Sequence, residues 1–129
     1  MTTASAIPTT ACAERRAIQK LFDLTGRTAL VTGGSRGLGL QIADAPGEAG
    51  ARVVLSARKA ADLEACAAAL KERGIVADWI AADSSKPEEV QRLAAEAIAK
   101  LGHVDIRVNN AGATWGARPR TIRCRPGTR

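Results

Sequence analysis

The sequence predicts an α/β fold: a partial doubly wound domain whose parallel sheet runs in the order 3-2-1-4 and is truncated after the fourth strand. Two observations predict it. Short apolar runs alternate with amphipathic stretches of about 10–15 residues, the signature of parallel strands joined by crossover helices. A glycine-rich turn falls between the first apolar run and the first helical stretch. Right-handed crossovers then dictate the strand order. The reversal between strands 1 and 4 opens a crevice at their C-terminal ends.

Each element has its own local reason. Arg27–Thr32 (RTALVT) is a short buried strand, and Gly37–Ala49 a helix expected to bury Leu38, Ile42 and Ala43. Arg52–Ser56 is the second strand. Ala60–Arg73 is a helix with Leu63, Cys66 and Leu70 on one face, stopped by Gly74. Ile75–Ala82 is the third strand. Ser85 is placed to cap the next helix, whose first turn holds Pro87, Glu88 and Glu89. That helix ends at Gly102, and Val104–Asn109 forms the fourth strand. Residues 1–22 read as a mobile arm with a short helix near Glu14–Leu21. Residues 23–117 read as the folded half-domain and 118–129 as an Arg-rich disordered tail.

Composition narrows the function classes. The chain has 129 residues, one domain at most, with 46% apolar and 25% charged residues. Phe22, Trp79 and Trp115 are its only aromatics, so Ala, Val, Leu and Ile must build the core. No apolar run matches a membrane span, and the N-terminus lacks a secretory pattern. Cys12, Cys66 and Cys124 are scattered without a C-x-x-C pair, which suits free thiols in a reducing cytoplasm. The lone His103 offers no metal cluster. Net charge is +6, but five arginines and no acid lie in residues 118–129. Without that tail, 14 basic residues face 13 acidic ones, and no basic stripe marks a nucleic-acid face.

Residues 32–39 (Thr32, Gly33, Gly34, Ser35, Arg36, Gly37, Leu38, Gly39) form the phosphate-cradling turn of a Rossmann unit. Glycine lets the backbone approach a phosphate, and the helix start offers free N–H groups. A merely structural tight turn is the plain alternative; the turn's place between a strand and a helix weighs against it. No Lys-Ser/Thr follows, so it is not a P-loop. After strand 2 come Arg58 and Lys59, with no acid before Asp62. Cations there suit a 2′-phosphate, whereas an acid would bind a free ribose 2′-OH. The expected cofactor is therefore NADP(H) rather than NAD. Two solvated charges opening a helix are the alternative.

Three motifs in order resemble those of the short-chain dehydrogenase/reductase family. They are the TGGSRGLG turn (Thr32–Gly39), Asp83 after strand 3, and Asn109-Asn110-Ala111-Gly112 (NNAG) after strand 4. The resemblance covers roughly residues 22–117 and is strongest to bacterial 3-oxoacyl reductases and gluconate-type 5-dehydrogenases. It implies a cofactor-binding set of residues 32–39 with Arg58, Lys59, Asp83, Ser84, Asn110, Ala111 and Gly112. Asp83 is implied to face the adenine ring, although it also suits a helix cap. The implied lineage is an NADPH-dependent reductase of small carbonyl compounds.

The family's catalytic Ser and Tyr-x-x-x-Lys have no counterpart here. The sequence contains no tyrosine, and its last lysine, Lys100, precedes NNAG. No catalytic residue is assigned, and Ser84 and Lys100 are not promoted to that role. Pro46 inside the first helix and Arg107 in a nominally buried strand are each expected to cost several kcal/mol. Residues 118–129 do not resemble the family, which suggests a reading frame slipped near Ala117. Three functions remain open: a reductase by descent, a non-catalytic NADP(H)-binding module, and a nucleic-acid arm in the tail. The open edge of strand 4 invites self-association.

Overall fold

The computed structural model describes Ile18, Lys20 and residues 21–112. The Arg-rich tail, Cys12, Cys124, Trp115 and most of the N-terminal arm lie outside the described residues. The elements are β1 (Thr28–Thr32), α1 (Gly37–Glu48), β2 (Arg52–Ala57), α2 (Ala60–Glu72), β3 (Ala77–Ala81), α3 (Pro87–Leu101) and β4 (Ile106–Val108). All strand pairs are parallel, in the order β3-β2-β1-β4. Both the element sequence and the strand order agree with expectation. β3 and β4 are shorter than their apolar runs.

The sheet divides the core in two. On one face Ala29, Val31, Val53 and Leu55 pack with Ala43 of α1 and with Leu63, Ala67 and Leu70 of α2. On the other, Leu30, Val54 and Ile80 pack with Leu93, Ala97 and Leu101 of α3. Alternation along each strand sends successive residues to opposite faces.

α1 differs from its predicted face. Its buried stripe is Gly39, Ala43 and Gly47, while Leu38 is 71% exposed and Ile42 37% exposed. Small residues win because the helix lies close to its neighbours. A Cβ on Gly47 would meet Ile75 Cγ2 at 2.5 Å. In α2, Leu63, Ala67 and Leu70 are buried and Cys66 is only half-buried.

Two expected penalties change character. α1 runs without interruption through Pro46. The proline sits in the last turn, so the Ile42 carbonyl loses the N–H it would have faced, while few turns lie beyond the break to be disrupted, and the Pro46 carbonyl accepts from Ala51 N–H at 2.9 Å. Arg107 is exposed, because among the described residues β4 pairs only with β1 and its other side is open. A cation on an open edge keeps its water, so the burial cost expected for it does not arise. Ser85 does not cap α3 either: the N-cap is Lys86, without a side-chain cap.

β4 is latched to β1 at the bottom of the sheet. Thr28 N–H donates to Asp105 Oδ2 at 2.9 Å, and Thr28 Oγ donates to the His103 carbonyl at 2.6 Å. Arg27 and His103 Nε2 also approach the Asp105 carboxylate, at 3.4 and 3.0 Å. The Thr28 amide, then His103 and Arg27, hold the Asp105 pKa below its usual range. A depressed carboxylate contributes stability that is fully present above about pH 4 and is lost as pH falls through the folded value. Asp105→Asn is therefore expected to lower the thermal midpoint at pH 7. The gap to wild type should close as pH falls below the ordinary aspartate range and through the depressed folded value, and a gap independent of pH would refute this.

Candidate functional site

The sheet order reverses at β1, which has β2 on one side and β4 on the other. The loops after these strands frame one crevice at their C-terminal ends. The turn after β1 is tied down first: Gly33 and Gly34 N–H donate to the Ser56 carbonyl at 2.7 and 3.2 Å. Gly33 has φ +68°, a conformation that disfavours any side chain, and Gly37 has φ +55°. Gly34 lies over the Leu55 side chain. Ser35 is half-buried, and its carbonyl accepts from Cys66 Sγ at 3.2 Å. Burial, then Asp62, pushes that thiol's pKa up, so it remains a donor.

Gly39 is the tightest point. A Cβ there would lie 2.0 Å from the Gly33 carbonyl oxygen and 2.5 Å from Asn110 Nδ2. The first turn of α1 is thus pressed onto the glycine turn. Arg36 occupies the N-cap with extended backbone and provides no side-chain cap, and no acid lies in the helix's first turn. Arg36, Gly37 and Leu38 are exposed. The first N–H groups of α1 therefore have no side-chain acceptor, and the helix dipole adds partial positive charge.

The NNAG run is organised by one hydroxyl. Thr32 Oγ1 donates to the Val108 carbonyl at 3.0 Å and accepts from Asn110 N–H and Ala111 N–H, both at 3.1 Å. One donor and two lone pairs are all a hydroxyl has, so Thr32 is saturated. Asn110 Nδ2 donates to the Gly33 carbonyl at 3.3 Å, joining the two loops directly. Ala111 and Gly112 are exposed.

The far side of the crevice is charged. Arg58 and Lys59 follow β2 immediately and are exposed. Asp83 Oδ1 accepts from Ser85 N–H at 3.0 Å and from Ser85 Oγ at 2.7 Å. These bonds, with Lys86 and Arg58 nearby, hold the Asp83 pKa below its usual range. Asp83 and Arg58 are therefore electrostatic neighbours, and the carboxylate is ionised at neutral pH. Ser85, expected as a helix cap, instead holds Asp83. Ser84 is exposed and borders a cleft of about 700 Å³ between β1, β4 and α3, whose lining includes Arg107, Asn109 and Ala111. The structure thus brings residues 32–39, Arg58, Lys59, Asp83, Ser84 and 110–112 to one end of the sheet. Sequence reasoning missed the Ser56 carbonyl, the Cys66 thiol and Glu89, whose carboxylate accepts from Asp83 N–H at 2.8 Å. None of these carries a local motif.

A parallel 3-2-1-4 sheet with an uncapped helix behind a glycine turn defines a Rossmann-type protein. Comparison with known proteins gives the family: the short chain dehydrogenase model matches residues 27–123, and the chain belongs to that family. The match continues past Ala117, so the resemblance does not stop where the sequence reading placed its end. The rhamnolipids biosynthesis 3-oxoacyl-[acyl-carrier-protein] reductase of Pseudomonas aeruginosa is 50% identical over 99 residues, covering 74% of this chain and 37% of its own length. The gluconate 5-dehydrogenase of Gluconobacter oxydans is 38% identical over 92 residues, covering 71% of this chain and 36% of its own length. Among solved structures, a metagenomic short-chain oxidoreductase in complex with NADP superposes with TM-score 0.72 and 39% identity, over 78% of this chain and 46% of that one. The chain thus spans less than half the length of these relatives. No helix among the described residues is long and apolar enough to cross a membrane.

Proposed function

We propose that residues 32–112 bind NADP(H) and serve the oxidoreductase chemistry of the family, reduction of a small carbonyl or oxidation of a secondary alcohol. The observation that carries the reading is the first turn of α1. It is pressed onto a glycine turn with no room for a Cβ and has no side-chain cap or acid of its own. Such an arrangement leaves backbone N–H groups for an anionic oxygen, the requirement of a pyrophosphate. When bound, the cofactor supplies a hydride.

The chain's own residues bind and orient. Gly33 and Gly34, whose N–H groups are taken by the Ser56 carbonyl, shape the turn, and the free N–H groups at the start of α1, with Ser35 and Arg36, hold phosphate. Arg58 and Lys59 meet the 2′-phosphate, where a guanidinium gives bidentate, charge-assisted bonds. Asp83 and Ser84 face the adenine, and Asn110, Ala111 and Gly112 form the adenosine-side wall. None of the 129 residues is a tyrosine, so a phenolic general acid is not among them. On its own this stretch acts as a cofactor-binding half, in a cytoplasmic setting, without turnover of its own. The outer edge of β4, unpaired among the described residues, favours self-association, which concentration-dependent sedimentation would reveal.

Titration of Trp79 fluorescence with NADP⁺ and NAD⁺ tests the reading. NADP⁺ should bind more tightly, and Arg58→Ala should weaken it on the order of 10–100-fold while leaving NAD⁺ nearly unchanged. Equal affinity of the wild-type chain for both nucleotides would overturn the assignment of Arg58. No binding of either would overturn the whole reading.

A further inference from the structure

We propose that Glu89 of α3, supported by Arg92, is a positioning residue that sets the chain's discrimination for adenine by fixing Asp83. The inference rests on the nucleotide-binding reading above and adds a residue to it that lies outside every glycine or NNAG motif.

Besides its carbonyl, which accepts from Lys86 N–H at 3.1 Å, Asp83 is held at three points. Ser85 supplies two donors to Oδ1, through N–H at 3.0 Å and Oγ at 2.7 Å. The third point is the residue's own backbone, whose N–H donates to Glu89 Oε2 at 2.8 Å. The Ser85 bonds orient the carboxylate relative to its own loop. Beyond the Lys86 bond at the helix N-cap, the Glu89 bond ties that loop to the body of α3. Glu89 is itself braced: Arg92 Nη2 lies 3.5 Å from Glu89 Oε2 and donates to the Ala81 carbonyl at 2.8 Å. Arg92 Nη1 binds Glu96 Oε1 at 2.8 Å. Successive turns of α3 thus grip the chain on both sides of Ala82, at Ala81 and at Asp83. Ala82 is buried and packs with the α3 face of the core, so the grip is seated on a rigid base.

The consequence is chemical. With Oδ1 committed to Ser85, Asp83 Oδ2 has no hydrogen-bond partner among the described residues. An ionised carboxylate oxygen with free lone pairs accepts and cannot donate. Adenine offers a matching exocyclic N–H₂ donor; hypoxanthine has a carbonyl at that place, which would face the carboxylate with like polarity. Discrimination of this kind requires the carboxylate to be fixed, because a mobile acceptor turns away from the mismatched base and forfeits the penalty. A loop tethered by Glu89 meets that requirement.

The experiment compares NADP⁺ with its hypoxanthine analogue, by fluorescence titration of the wild-type chain, Glu89→Ala and Glu89→Gln, with thermal midpoints measured alongside. The wild type should prefer NADP⁺ by about tenfold. Glu89→Ala should reduce that preference to about twofold or less, by weakening NADP⁺ and by relieving the penalty on the hypoxanthine analogue. Glu89→Gln keeps an oxygen acceptor for the Asp83 amide and should retain most of the preference. An Ala variant that keeps the wild-type preference, or weakens both nucleotides equally, would overturn the positioning role. A purely structural contact would produce the second pattern. A wild type that binds both nucleotides equally would remove adenine discrimination, whereas one that binds neither would overturn the nucleotide-binding reading itself.

Discussion

Gly39→Ala is expected to abolish useful nucleotide binding, weakening NADP⁺ by about 100-fold or more, and to destabilise the fold by roughly 3 kcal/mol. The magnitude follows from what the added methyl would meet. Its nearest neighbours are the Gly33 carbonyl oxygen at 2.0 Å and the Asn110 amide at 2.5 Å. The oxygen is backbone and belongs to a turn fastened to β2 by two hydrogen bonds, so it cannot swing aside as a flexible side chain would. Either α1 must lift from the turn or the turn must leave the sheet, and each movement separates N–H groups that a pyrophosphate needs together. Calorimetric titration with NADP⁺ and a thermal melt check the two effects. Gly37→Ala, at an open position with positive φ, gives a useful contrast: it carries backbone strain without a contact. Near-normal affinity in Gly39→Ala would show that the close approach is not what shapes the site.

Thr32→Val should be the next most damaging change, at roughly 2–4 kcal/mol of stability, with a loss of nucleotide affinity beyond that. Valine preserves volume and β-branching, so packing in β1 survives. The hydroxyl does not, and its removal leaves the Val108 carbonyl and the Asn110 and Ala111 N–H groups without their partner. Thr32 is buried and its partners are half-buried or exposed, so each lost bond costs its own worth plus a share of the desolvation of the group left behind. Thr32→Ser restores the oxygen and should recover most of the loss. Denaturant unfolding of the three proteins reads the series, and a valine variant as stable as the serine variant would count against this account.

Much of the fold was legible because parallel α/β architecture writes itself locally. Each strand is a short apolar run, each helix carries its own stops, and handedness supplies the order. Contacts that depend on distance between elements were not legible. Periodicity alone selects Leu38 and Ile42 as a buried face, but close packing of α1 reserves that face for Gly39, Ala43 and Gly47. Arg107 reads as buried only if a strand lies outside β4. Ser85 is a sound cap by residue type, yet Asp83 competes for the same hydroxyl and takes it. Of the candidate site, the glycines, Arg58 and NNAG were visible as motifs. Glu89 was not, because a side-chain contact with a backbone amide six residues away has no pattern to match.

The saturated Thr32 hydroxyl has a consequence for how the site comes into being. It joins positions 78 and 79 residues apart in the chain, at Asn110 and Ala111. Closing a loop of that length costs conformational entropy before any contact repays it, and such non-local pairings slow folding. The glycine turn needs β2 beside it, through the Ser56 carbonyl, but the crevice needs β4 as well. Until the short β4 has docked against β1, the chain has a phosphate turn and no opposite wall. On the proposed reading, full nucleotide affinity is therefore a property of the completed topology.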